Sequence, residues 1–398
     1  MSAPDTVSSD GVSFDAVSFD ALSEDSLRAA GSLKWTKYGT AIGAFVAEMD
    51  VGTAPVVTRA LHEAVDAAAF GYLPAAVQQD LAAACARWQA ERYGWAVPAA
   101  RVAPLADVVA GLTAAIDHFT PPGAPVVLPT PAYMPFLRVP GERGREVVQV
   151  PMVPGADGRP TYDLAGIDRA LAGGGLFVHV NPHNPLGRVF TEAEQLGLAE
   201  VVARRGARVF ADEIHAPLVY RGQAHRPYAS LSPVTAGHTV TATSASKAWN
   251  LPGLKCAQLL LSNDADAARW AEVGERPEHG CSTLGAIANT VAFTEGGPWL
   301  DEVLHHLDGS RRMLADLLAE HLPRVRYTPP EGTYLAWLDC RELGVAEPLG
   351  EFFRREAGVA LIDGTECGAA GAGHVRLTLA TPRPVLRAIV QRMAAAVG

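Results

Sequence analysis

Three short runs in the middle of the chain carry residue types that could do chemistry together. The first is Thr243-Ser244-Ala245-Ser246-Lys247-Ala248-Trp249-Asn250, where a lysine follows two hydroxyl residues at the end of a β-branched segment. An ammonium beside Ala248 and Trp249 is desolvated, which lowers its pKa and makes the amine a nucleophile. Lysine is scarce: it occurs only at 34, 37, 247 and 255, so 29 of the 33 basic residues are arginine and amine chemistry has four candidates. The second run is Asn181-Pro182-His183-Asn184-Pro185-Leu186-Gly187-Arg188, where two Asn-Pro pairs build a rigid turn that fixes its amide side chains. The third is Asp212-Glu213-Ile214-His215, which places a carboxylate at a strand end as a counter-charge for a bound cation. Taken singly, each has a plainer reading: a surface lysine, a decorative turn, a capping aspartate.

The segments around these runs alternate between strand and helix. Strands are expected at Pro125–Leu128, Glu146–Val150, Leu176–Val180, Arg208–Ala211, Thr239–Ala242 and Cys256–Leu261. Between them lie amphipathic stretches such as Thr191–Arg205, opened by a capping box of Thr191 with Glu194. This alternation implies an α/β fold with a mostly parallel sheet, whose ligands sit beyond the carboxyl ends of the strands. The texture changes after that: one long helix over Trp299–Leu322, strands near Tyr334–Leu338 and Val375–Leu379, and a closing helix from Pro384 make a smaller α+β domain. The expected division is a flexible leader or docking arm over 1–30, an N-terminal segment of the small domain over 31–50, a large domain over 51–290 and a small domain over 291–398. The leader contains VSFDA twice, at 12–16 and 17–21, too short a repeat for a solenoid.

Composition narrows the function classes. The 398 residues are 48% hydrophobic and 19% charged, enough apolar content for two or three folded domains and too much for a disordered chain. The net charge of −10 repels phosphate backbones, so nucleic acid is not an expected partner. Five scattered cysteines without CxxC or metal-type spacing point to a reduced cytosol and to no metal site. Cys281 reads as a small buried hydrophobe and His305-His306 as an exposed helix face. The acidic, Ser-rich start lacks signal-peptide character, and no run approaches a membrane span.

The order and spacing of the three runs resemble those of fold-type-I pyridoxal-5′-phosphate (PLP) enzymes, in particular the cystathionine β-lyase and cysteine-S-conjugate β-lyase branch related to class I/II aminotransferases. Lys34-Trp35, Phe45-Val46-Ala47-Glu48-Met49-Asp50, Gly332-Thr333-Tyr334-Leu335-Ala336-Trp337-Leu338-Asp339 and Val375-Arg376-Leu377 extend the resemblance from about Trp35 to the C-terminus. It implies that Lys247 binds the cofactor covalently, that Asp212 pairs with the pyridinium nitrogen and that Asn184 hydrogen-bonds the ring 3′-oxygen. His215 lies near that oxygen and Tyr133 stacks on the ring. The amides of Val108 and Val109, with Ser244, Ser246 and Lys255, are expected to hold the phosphate, although Asp107 stands where relatives carry a small residue. Tyr72 is expected to reach the phosphate of a neighbouring subunit, implying a homodimer with shared sites. Arg376 is expected to clamp the substrate carboxylate, with Ala47 and Tyr334 also at the substrate.

The reaction implied is carbon–sulfur β-elimination from a cysteine thioether, cystathionine or a cysteine S-conjugate, giving a thiol, pyruvate and ammonia in the cytoplasm. The same residues also serve an aminotransferase. Departures from the branch at Glu48, Pro217 and Cys367 suit a tailoring enzyme acting on a cysteine conjugate of a larger metabolite. A binding module using the cofactor as a structural ligand would not need the full set of Lys247, Asp212, Asn184 and Arg376.

Overall fold

Strands that are apolar or β-branched at every position, rather than at alternate ones, need cover on both faces. Val126–Thr130, Leu176–Val180, Thr239–Thr243 and Ala257–Leu261 are of this kind but for His179 and Gln258, and are buried at every residue. The computed structural model describes residues 19–398 and places these strands in a seven-stranded sheet. The spatial order is Val102–Leu105, Ala257–Leu261, Thr239–Thr243, Arg208–Asp212, Leu176–Val180, Val126–Thr130, Val147–Pro151. Only Ala257–Leu261 runs antiparallel to its neighbours. Leu176–Val180, Arg208–Asp212 and Thr239–Thr243 are adjacent and parallel, with Val180, Asp212 and Ala242 in register. All three chemical runs therefore leave the sheet at one edge of its carboxyl side.

The strands of this sheet lie within two residues of the sequence reading, with one omission. Val102–Leu105 was not expected, because it is four residues long and contains Pro104. It is the outermost strand, where a missing N–H costs little. Helix Glu192–Arg204 starts at the expected capping box, with Thr191 N donating to Glu194 Oε2 at 2.8 Å and Glu194 N to Thr191 Oγ1 at 3.2 Å.

The second layer is a four-stranded antiparallel sheet, Arg326–Tyr327, Leu335–Asp339, His374–Thr378, Ile362–Asp363 in that order, with the helices Gly297–His321 and Arg383–Val397. The N-terminal segment crosses this part: Ile42–Gly43 pairs in parallel with Val359–Ala360, Thr378 N donates to Ala44 O at 2.8 Å and Asp50 N to Ala380 O at 3.0 Å. Gly43 passes so close to Lys34 that a Cβ there would lie 1.8 Å from its carbonyl oxygen.

Two expectations are corrected. Residues 19–30 of the anticipated leader are helical and packed on their own chain: Phe19–Ala21 is a single turn and Glu24–Ala30 a helix with a Ser23/Ser26 capping box. Asp20 Oδ1 accepts from Arg383 N at 2.8 Å, which the sequence could not show across 363 residues. Residues 1–18, with the first VSFDA copy and part of the second, lie outside the described residues. His306 is also buried, its ring 4.8 Å from that of Phe19, and only His305 faces outward. Successive helical residues point about 100° apart, so a histidine pair at a packed helix face is split between core and solvent. All five cysteines are free and buried, and no helix among the described residues is long and apolar enough to cross a membrane.

The N-terminal segment is pinned by a buried ion pair. Lys34 Nζ lies 2.9 Å from Asp50 Oδ2, with the two side chains 0% and 1% exposed, and Trp35 Nε1 donates to Asp50 Oδ1 at 2.6 Å. Removing one partner of such a pair strands a buried charge, at a cost of about 3–5 kcal/mol. Lys34→Met is expected to lower the urea midpoint accordingly, and Lys34→Met with Asp50→Asn to recover part of the loss. Equal midpoints for Lys34→Met and wild type would show that the pair contributes nothing.

Candidate active site

The lysine turn is built before the lysine itself. Ser244 Oγ donates to Cys256 O at 2.6 Å and accepts from Ser246 N at 2.9 Å, while Ala245 N donates to Asn289 Oδ1 at 3.0 Å. Trp249 is fully buried, its Nε1 donates to Gly296 O at 2.9 Å, and its ring meets that of Trp88 edge-on at 5.2 Å. Asn250, at φ +57°, donates to Met49 O and Val51 O and accepts from Met49 N. It thereby staples the N-terminal segment onto the turn. Lys247 is left facing a cavity, with Nζ donating to Ala47 O at 2.8 Å. Burial pushes its pKa down to about 8, against the opposing pull of Glu48 and Asp212.

Asp212 ends its strand beneath the same cavity. Its Oδ1 accepts from Ile214 N at 3.0 Å, and burial pushes the carboxyl up to about 7. His215, two residues beyond Glu213, is buried with Nδ1 unpartnered, and burial holds it well below the usual imidazole range, hence neutral. Tyr133 precedes helix Met134–Glu142, and burial raises its phenol.

The Asn-Pro turn is tied to the small sheet. Glu331 N and Gly332 N both donate to Gly187 O, and Arg188 Nε donates to Glu331 Oε2 at 2.9 Å. Gly187, at φ +67°, leaves no room for a side chain, since a Cβ would sit 2.3 Å from that of Pro330. Asn184 accepts at Oδ1 from Arg376 Nη1 at 3.0 Å, and Arg376 Nη2 donates to Phe45 O at 2.7 Å. Arg376 is 2% exposed, its Nε is unpartnered, and it has no carboxylate partner among the described residues.

A cavity of about 170 Å³ lies among Lys247, Asp212, Asn184 and the start of helix Val108–His118. Its wall includes Ala47, Asp107, Val108, Val109, Tyr133, Asn184, Asp212, His215, Ser246, Lys247 and Lys255. Of the other expected residues, Ser244 is buried in the turn, Tyr334 is buried with its hydroxyl donating to Ala47 O at 3.0 Å, and Arg376 stands behind Asn184. Tyr72 is not at this cavity: it is fully exposed on a loop anchored by Thr283 Oγ1 to Gly71 O at 2.8 Å. The sequence reading missed Asn289, which holds the lysine turn. Its only signal was one amide in the otherwise apolar run of helix Thr283–Glu295.

A lysine, an aspartate and an arginine gathered at the carboxyl edge of such a sheet, with a small antiparallel sheet alongside, define the fold of the PLP-dependent transferases. The chain belongs to the aminotransferase class I and II family, which it matches over residues 43–393. It is 38% identical to the cystathionine beta-lyase of Corynebacterium glutamicum over 367 residues, covering 91% of this chain and 96% of that one. It is 33% identical to the cystathionine beta-lyase PatB of Bacillus subtilis over 374 residues, covering 90% and 95%. Among solved structures it is similar to a PLP-bound C-S lyase from Staphylococcus hominis, with a TM-score of 0.87 and 28% identity over 93% of this chain and 96% of that chain.

Asp212 also sets a pH dependence for the ligand-free protein. Its folded-state pKa of about 7 lies above the ordinary 3.8, so the folded state prefers the neutral acid. The stabilisation this brings is full below about pH 4 and is lost as the pH rises through about 7. Asp212→Asn is therefore expected to unfold at a higher urea concentration than wild type at pH 8, and the gap should shrink at pH 5. A gap independent of pH would mean that the carboxyl titrates normally.

Proposed function

We propose that the protein is a PLP-dependent carbon–sulfur β-lyase acting on cysteine thioethers. The observation that carries this is the gathering of Lys247, Asp212 and Asn184 at one cavity, with Arg376 hydrogen-bonded to Asn184 behind its wall, in a chain 38% identical to a cystathionine beta-lyase over nearly its whole length. The donor set fits the cofactor: an amine, a buried carboxylate, and a helix N-terminus beside a lysine. When bound, the cofactor supplies an electron sink for the carbanion formed at the substrate Cα.

The residues divide the remaining work. Asp212 would hold the ring nitrogen in its protonated form, and a cation there would remove the cost of ionising a carboxyl otherwise raised to about 7. The amide nitrogen of Asn184 is free to donate to the ring oxygen, because Oδ1 is taken by Arg376. Neutral His215 and Tyr133 line the same cavity, where Tyr133 would stack on the ring. Val108, Val109, Ser246 and Lys255 receive the phosphate, with Ser244 supporting Ser246 from within the turn. Arg376 binds the α-carboxylate, for which its planar donors are suited. Lys247, neutral in a large fraction at pH 8, takes the Cα proton. The β-thiolate then leaves, and with one water the three-carbon fragment yields pyruvate and ammonia. Tyr72, wholly exposed on its loop, supports a homodimer in which it serves the partner's site.

Borohydride treatment of the yellow holoprotein is expected to fix the cofactor on Lys247, and peptide mapping to Lys34, Lys37 or Lys255 would refute the assignment. Cystathionine, cystine and S-alkyl cysteines are expected to give pyruvate and thiol with no keto acid present. Arg376→Lys should lose about 10²-fold in kcat/KM, because the plane of the bound carboxylate is no longer set. Turnover that begins only on adding a keto acid would make the protein an aminotransferase instead.

Tyr72 has its own test. If Tyr72→Phe is severely impaired, mixing it with inactive Lys247→Ala should restore activity, because one site in each mixed dimer carries neither lesion. No recovery after subunit exchange would place Tyr72 in its own chain's chemistry.

A further inference from the structure

The cavity wall that is to receive a phosphate carries an acid in its midst. Asp107 is the N-cap of helix Val108–His118: its Oδ1 accepts from Ala110 N at 2.8 Å. Its other oxygen, Oδ2, lies 3.0 Å from Lys255 Nζ. Lys255 is held in place by its backbone, which sits in the left-handed region at φ +49° with its carbonyl accepting from Ser282 N at 2.9 Å. One carboxylate thus takes a free N–H of the helix start and pairs with the cation beside it. The charged residues on the cavity wall are two lysines, Lys247 and Lys255, and two aspartates, Asp107 and Asp212. Lys255, one of the two lysines on the wall, thus meets an arriving anion already paired with a carboxylate.

We propose that Asp107 weakens the hold of the site on phosphate, so that retention of the cofactor depends on its ring end, at Lys247 and Asp212, more than on its phosphate. This rests on the reading that the cavity holds PLP. A phosphate bound at Val108 and Val109 competes with Asp107 for Lys255 and is repelled by the same carboxylate. A like charge about 4 Å away, in a partly exposed setting, changes a dissociation constant by on the order of tenfold. Asparagine caps helices as well as aspartate, so Asp107→Asn removes the charge and keeps the fold.

The test compares two ligands on cofactor-free protein, followed by quenching of tryptophan fluorescence. Pyridoxal phosphate and pyridoxal share the ring and differ in the phosphate. For Asp107→Asn the Kd of pyridoxal phosphate should fall about tenfold while that of pyridoxal stays within twofold. Lys255→Met should raise the Kd of pyridoxal phosphate alone. An unchanged or smaller preference for pyridoxal phosphate in Asp107→Asn would overturn the proposal, because the carboxylate would then organise the cradle rather than oppose its ligand. Failure of the wild-type protein to bind either compound would instead refute the cofactor reading, and the proposal with it.

Discussion

A guanidinium buried without an anion is the constraint around which this molecule is arranged. Desolvating Arg376 costs several kcal/mol, and no carboxylate among the described residues forms an ion pair with it, Glu366 acting only from a distance. What compensates is a set of neutral acceptors drawn from far apart: Asn184, 192 residues away in sequence, and the carbonyl of Phe45, 331 residues away. Phe45 is delivered by a segment that pairs with Val359–Ala360, and Asn184 by a turn that docks on Glu331 and Gly332. Because Arg376 needs both acceptors, the N-terminal segment, the large sheet and the small sheet have to meet at one point. The unpartnered Nε shows that the compensation is incomplete. A site so built favours a carboxylate ligand over a neutral one, since only the anion completes it.

A second junction lies close by. The carbonyl of Ala47 accepts from Lys247 Nζ at 2.8 Å and from the Tyr334 hydroxyl at 3.0 Å. Sequence reasoning places Ala47 and Tyr334 at the substrate, and the structure gives them a different first task, parking the amine. Holding Nζ on a neutral carbonyl rather than a carboxylate matters electrically. A carboxylate there would stabilise the ammonium and raise its pKa, whereas an amide oxygen in a dry setting leaves the amine near 8. Tyr334 itself stays protonated, because burial pushes its phenol far above the usual range, and so it donates to the same oxygen.

The parts of this arrangement that were legible in the sequence are those encoded locally. The strands announce themselves by unbroken apolar runs, helix Glu192–Arg204 by its capping box, and the three chemical runs by compact motifs. What stayed hidden depends on contacts between distant segments. Asn289 reads as an ordinary helical residue until the lysine turn lies against it, and nothing near Asp20 announces Arg383. Val102–Leu105 was masked by a proline that only an edge strand tolerates. Asp107 was visible as out of place, but its pairing with Lys255 needs the antiparallel strand Ala257–Leu261 beside Val102–Leu105.

The opposed shifts of Lys247 and Asp212 explain why the site can be ready for chemistry without a ligand-independent source of charge. Burial depresses the amine to about 8 and lifts the carboxyl to about 7, so each titrates within a unit or so of neutrality. In the bare cavity neither protonation state is strongly preferred, and the placement of protons is decided by what binds. A cation near Asp212 draws the carboxyl into its ionised form, and a carboxylate near Arg376 relieves the repulsion that this guanidinium exerts on Lys247. The two ends of the site are thereby coupled through charge. A stronger permanent counter-ion at either end would stabilise the empty site more and leave less of that coupling for the reaction.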